Sequence, residues 1–242
     1  MANTPPAILI RPRKVLLALL VTVVALVILS IWGQYLRYFQ RFVDIRAWME
    51  FGLDLLNHKF YMDAESNIPT WFNTALLLAI SGLFFVVGLQ KVAAHERFRI
   101  HWLGAAALFL LMSVDELSIL HEMLIDPVRG WLGLRGWFYF GWVIPGMAFL
   151  LLVAIAYFAF FLHLEPRFKV LFSFSLFTYF LGAIGAEMLG GRVAAAIGQR
   201  NFTYAVYASL EESLEMIGAS FLIYSLLTYL QEETPELRFH LA

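Results

Sequence analysis

Seven carboxylates and one imidazole stand inside runs of otherwise apolar residues. Asp115, Glu116, His121 and Glu122 fall in one run, Glu187 ends another, and Glu211, Glu212 and Glu215 lie in a third. Neighbouring carboxylates without cations share protons or hold a metal ion. Oxygen donors suit Ca²⁺, Mg²⁺ or Mn²⁺, and an added imidazole extends the set to Mn, Fe or Zn. The eight residues are therefore candidate ligands for a divalent metal ion. Asp115, Glu211 and Glu215 form the expected core. Glu116, His121, Glu122, Glu187 and Glu212 act as further ligands or proton carriers.

Helical spacing groups these residues. At about 100° per residue, Asp115, Ser118 and Glu122 share a face, with His121 and Glu116 on either side. Glu211 and Glu215 are one turn apart, with Glu212 beside them and Tyr204, Tyr207 and Gly218 continuing the stripe. Gly182, Ala186 and Gly190 repeat at every fourth position, a pattern that lets helix backbones approach closely. Simple packing explains most of that pattern, and it also sets Glu187 beside a helix contact.

The runs that carry these residues set the class of the chain. Of 242 residues, 61% are hydrophobic and 14% charged. That is too little charge to cover a water-soluble globule, so the surplus apolar surface faces lipid. A span needs roughly 20 apolar residues. Six runs qualify: 15–32, 71–89, 102–125, 138–162, 170–190 and 204–230. The expected fold is all-α, a single transmembrane domain of about six helices. The first run follows Arg11, Arg13 and Lys14 and has no small-residue cleavage site after it, so it reads as a retained helix. Gly141, Pro145 and Gly146 predict a kink in the fourth.

Residues 35–70 form the one long connection, read as a loop with an interfacial helix. It ends in Asn67 or Thr70 as a helix cap, with Pro69 in the preceding turn. Asp63, Glu65 and Asn67 alternate like the start of a calcium loop, without its Gly and terminal Glu. Trp71, Trp102, Trp131, Trp137 and Trp142 lie near span ends and read as an interfacial belt.

Lys and Arg placement gives the orientation. With the N-terminus inside, nine of the 17 basic residues lie inside (Arg11, Arg13, Lys14, Lys91, Arg97, Arg99, Arg167, Lys169, Arg238). The other eight (Arg37, Arg41, Arg46, Lys59, Arg129, Arg135, Arg192, Arg200) lie outside, half of them in the long loop. A cytoplasmic N-terminus in a bacterial-type inner or plasma membrane follows. All seven acids then fall in the outer half. Glu122 and Glu187 lie roughly 5 Å deep, and Asp115 and Glu215 roughly 15 Å.

Several chemistries are excluded. A net charge of −1 offers no basic surface for nucleic acid. The absence of cysteine removes disulfides, thiol catalysis and thiolate metal sites. Position 125 is Ile, so His121-Glu122 does not open a metalloprotease helix motif. There is no G-x-S-x-G elbow and no glycine-rich phosphate loop. The Glu-x-x-His pairs of di-metal bundles are missing, and three intramembrane histidines for zinc are not available.

Acids can also act as hydrogen-bond glue between helices, worth about 0.6 kcal/mol each. Seven at matching depth fit that poorly, because intramembrane acids are costly and mark function by default. The leading expectation is a cation-binding membrane protein used in ion transport or exchange. The alternatives are a membrane metalloenzyme (an oxidoreductase or hydrolase) acting on a lipid-soluble substrate, or a non-catalytic subunit of a larger membrane complex. The expected partners are the lipid bilayer, a metal ion, and a further copy or subunit.

Overall fold

The computed structural model describes residues 10–39 and 47–233. Arg41, Arg46, Arg238 and His240 lie outside the described residues. Within them the chain is helical, with no strand. The long helices are α1 (Pro12–Phe39), α3 (Ile68–Ala93), α4 (Arg99–Ser118), α6 (Val143–His163), α7 (Pro166–Phe180) continued by α8 (Glu187–Ile197), and α9 (Phe202–Glu233). Shorter helices α2 (Ala47–Lys59) and α5 (Ile125–Leu132) lie in two connections. Among the described residues, six helices are long and apolar enough to span a bilayer, the continuous segment Pro166–Ile197 counting as one.

The even number of spans returns the chain to its starting face. Gln231 near the end of α9 donates to the carbonyl of Ile10 at 2.6 Å. The ends of α1, α4 and α8 and the starts of α3, α6 and α9 therefore share the opposite face, where the acids lie.

α9 is the axis of the bundle. Its 32 residues bury Ala205, Ala208, Gly218 and Ala219 along with larger side chains, so neighbours approach its backbone on several sides. At the α7–α9 crossing, a methyl on Gly218 would stand 2.7 Å from the Ser175 carbonyl, and one on Gly182 2.7 Å from the Glu211 carbonyl. Only hydrogen fits at these two positions. The predicted small-residue stripe thus does pack a helix contact. Hydroxyl pairs fix the registers. Ser30 meets Ser209 (3.2 Å) between α1 and α9, and Ser175 meets Ser225 (3.4 Å) between α7 and α9. Ser81 and Ser113 donate to the Ala106 and Thr74 carbonyls between α3 and α4. Each such bond is worth about 0.6 kcal/mol in a membrane, where specificity outweighs strength.

The half of the bundle away from the acids is filled with rings. Phe84, Trp102, Phe109, Phe160, Phe172 and Tyr229 pack in one continuous cluster. Trp102 is 3% exposed, so it is core and not part of an interfacial belt, whereas Trp71 and Trp131 are exposed. α6 stands at the edge, with only Val143 and Phe160 of its residues buried.

Three expected boundaries change, each for a local reason. The third span stops at Ser118, because Ile119 turns left-handed (φ 56°) and donates to the Asp115 carbonyl. His121 and Glu122 therefore lie in the following turn, and the expected Asp115–Ser118–Glu122 helix face ends at Ser118. The fourth span starts at Val143, so Gly141 precedes it and Pro145 falls in its first turn. There a missing N–H breaks no helical bond. The fifth span runs seven residues beyond its expected end and holds a π-turn at Leu181–Ala186. Glu187 consequently lies well inside the span and not at its rim. In the long connection, Asn67 caps α3 by accepting from the Thr70 N–H at 3.0 Å, with Pro69 in the first turn.

Candidate functional site: a carboxylate cleft around Asp115–His121

The turn after α4 is built by Asp115. Its Oδ1 accepts from the His121 backbone N–H (2.9 Å), and its Oδ2 pairs with the ring Nδ1 (2.7 Å). One carboxylate thus closes the turn and holds the imidazole through Nδ1. His121 packs edge-on against Trp142 at the start of α6, 4.6 Å between ring centroids. The Trp142 indole donates to Glu187 Oε1 at 2.7 Å. A chain of contacts therefore runs from Asp115 through His121 and Trp142 to Glu187.

Burial alone would lower the His121 imidazole. The Asp115 hydrogen bond and charge, with Glu122 and Glu215, outweigh it and raise it above its ordinary range. Glu122 is raised by desolvation, with His121 pulling it down and Glu65 and Asp115 adding to the rise.

α9 supplies the other wall. Glu211 faces Glu187 across the contact that Gly182 makes possible. Glu215 is 7% exposed and receives the Asn73 amide at 3.4 Å. It also meets Tyr179 and Glu116. Glu212 lies within electrostatic reach of Glu116, Glu215, Asp63 and Glu187. Asn73 is fully buried, and its carbonyl oxygen has no hydrogen-bond partner. An unpaired buried carbonyl costs about 1–3 kcal/mol.

At the mouth, Asp63 is open to solvent but crowded by protein. It accepts from the Tyr204 hydroxyl at 3.0 Å. Crowding pushes its carboxyl up to about 6, with Glu122 and Glu65 adding to the rise and the Tyr61 and Tyr204 hydroxyls opposing it. Asp63 thus joins the site, whereas Asn67 caps a helix, so the alternating Asp63-Glu65-Asn67 run is divided between two tasks.

All eight candidates from the sequence reach this one region, though His121 and Glu122 enter from a turn. Asp115, expected as a core ligand, has both oxygens occupied by His121, and Glu116 stands closer to Glu215 and Asn73. Two basic residues near the site, Arg129 and Arg192, are engaged elsewhere. Arg129 pairs with Asp126 and lies over Tyr139, and Arg192 lies over the Trp137 ring, not on Glu187. Among the described residues no three His, Asp or Glu side chains already close around a metal-sized point. Asn73, Trp142 and Tyr179 are not singled out as ligands by the sequence, whereas Asp63 stands within the calcium-loop-like run as a candidate outer ligand. Asn73 carried a signal, being an amide in an apolar run one helix away.

No curated protein and no solved structure matches the chain significantly. A family model described as a domain of unknown function, DUF8692, matches residues 15–229, which is most of the chain and takes in every residue of the cleft. The chain belongs to the DUF8692 family.

Proposed function

We propose that the protein binds a divalent cation in this cleft, with Glu116, Glu212, Glu215 and the Asn73 carbonyl as the deep donors. Glu187 and Glu211 stand beside them, and His121 is held by Asp115. The observation that supports the proposal is the fully buried Asn73 amide, which donates to Glu215 and leaves its own oxygen without a hydrogen-bond partner. The donors stand in pairs, and a cation of Ca, Mn, Fe or Zn type would draw them together. The cleft opens outward under the orientation expected from the basic residues.

Metal analysis of purified protein tests this reading. About one divalent ion per chain is expected, with loss in Asn73→Ala and Glu215→Gln. Equal metal content in all three proteins refutes it.

Transport needs a second route to the opposite face. The ring cluster of Phe84, Trp102, Phe109 and Phe172 fills that half, which favours a blind site. A membrane metalloenzyme is therefore the second reading. His121 would move the proton and the cation would polarise the substrate oxygen. Turnover of a lipid-soluble substrate that stops in His121→Ala, with metal retained, separates catalysis from binding alone.

A further inference from the structure

The face opposite the cleft gathers a second set of charged side chains. There α3 gives way to α4, α6 gives way to α7, and α9 ends. A pocket of about 250 Å³ opens between these three places. Its floor is buried and aromatic. Trp102 packs on Tyr229 with 4.8 Å between ring centroids and meets Phe160 edge-on at 5.0 Å. Its rim is charged, and Glu96, Arg97, His163 and Glu165 are all exposed there.

Some of these charges are already matched and others are not. Lys91 is 8% exposed and donates to Glu96 Oε1 at 3.0 Å and to Glu233 Oε2 at 3.1 Å. Its ammonium also lies 5.4 Å from the Tyr229 ring centre. One ammonium set against two carboxylates leaves this node with surplus negative charge. Arg97 lies over the Phe98 ring at 4.8 Å, and Phe98 packs on His163 with 5.2 Å between centroids. The guanidinium and the imidazole therefore flank one ring and supply hydrogen-bond donors together. Among the described residues neither Arg97 nor Glu165 forms an ion pair.

This charge pattern selects a ligand. A simple anion meets the surplus of carboxylates, and a simple amine leaves the Arg97 guanidinium unused. A phosphate joined to an ammonium matches both signs. The phosphate accepts from Arg97 and His163, and the ammonium donates to Glu165 above the aromatic floor. The position of the pocket names the source. α4 begins at Arg99 and α6 ends at His163, so the rim lies at the ends of the spans, in the headgroup layer. The volume is below the roughly 300–1,000 Å³ of sites that enclose a drug-sized molecule, so the pocket admits a head and leaves acyl chains in the bilayer.

We infer that this pocket binds the head of a zwitterionic phospholipid, with its phosphate on Arg97 and His163 and its ammonium on Glu165. The site lies at the opposite end of the bundle from the carboxylate cleft and does not rest on the cation proposed there.

Native mass spectrometry of the full chain, delipidated in detergent, tests this. Phosphatidylethanolamine, phosphatidylglycerol and diacylglycerol with the same acyl chains are offered in equal amounts. One phosphatidylethanolamine per chain is expected, held about tenfold better than either competitor, the weight of one charge-assisted hydrogen bond. Arg97→Gln is expected to lower its retention by about the same factor. Glu165→Gln is expected to remove the preference over phosphatidylglycerol, because the ammonium loses its partner. Both side chains are exposed on the rim, so these variants keep the fold. Arg167→Gln breaks the pair with Glu232 on the same face but outside the pocket, and is expected to leave retention unchanged.

Equal retention of the three lipids overturns the inference. So does a loss in Arg167→Gln as large as in Arg97→Gln, which would show a general charge effect of this face. Soluble glycerophosphoethanolamine is expected not to displace the bound lipid. Displacement at equal concentration would make the ligand a free phosphoester and overturn the lipid assignment.

Discussion

Gly218→Ala and Gly82→Ala are the same chemical change in two long helices, and the structure gives them opposite signs. A methyl at Gly82 meets nothing within 4 Å. Replacing glycine there recovers the helix propensity difference, about 0.5–1 kcal/mol of stabilisation. A methyl at Gly218 stands 2.7 Å from the Ser175 carbonyl and 2.7 Å from the Tyr179 Cα. Both obstacles are backbone, so α7 and α9 must separate by several tenths of an ångström. Overpacking of this kind costs about 1–3 kcal/mol. After the propensity gain is offset, a net loss of up to about 2.5 kcal/mol remains. Because the propensity gain is common to both, the two variants should differ by about 1–3 kcal/mol, and at about 2–4 °C per kcal/mol their unfolding midpoints should differ by roughly 2–12 °C. Thermal unfolding of both proteins in one detergent measures it. Gly218→Ala should also weaken the contact of Glu187 with Glu211, because the two cross at the same helix pair. Equal midpoints, or a more stable Gly218→Ala, refute the close-crossing account of the site.

Three further outcomes follow from the cleft. Asp115→Asn should lower the His121 titration, read by NMR of labelled histidine. Because the folded imidazole is raised, the stability it contributes is present below its ordinary 6.5 and is lost as pH rises through the raised value, so the variant should lose that pH dependence. An unchanged titration removes Asp115 as the partner. Trp142→Phe deletes the donor to Glu187, a residue 8% exposed, and should cost about 1–3 kcal/mol in detergent unfolding. Asp63 carries a carboxyl raised from 3.8 to about 6, which weakens the fold as pH rises through that window. Asp63→Asn should flatten stability between these values, and an unaltered profile would place the titration elsewhere.

The sequence by itself determined the helical class, the number of spans and the region where polar chemistry gathers. These rest on local quantities. A run of about 20 apolar residues is long enough to cross lipid wherever it sits, and an acid within it stands out without knowledge of its neighbours. The Asn67 cap was legible for the same reason, since a cap depends on only a few residues of chain.

Tertiary structure decided what each acid meets. The third span ends at Ser118 because Asp115 folds the chain back onto itself through His121, a contact that helical periodicity does not anticipate. The π-turn at Leu181–Ala186 moves Glu187 relative to a regular helix, and its partner Glu211 comes from another span. Asn73 became part of the site only when α3 packed on α9, which buried its amide among the carboxylates. Spacing along one helix fixes which residues share a face. Which face meets which is set by the close crossings at Gly182 and Gly218, and those depend on the whole bundle.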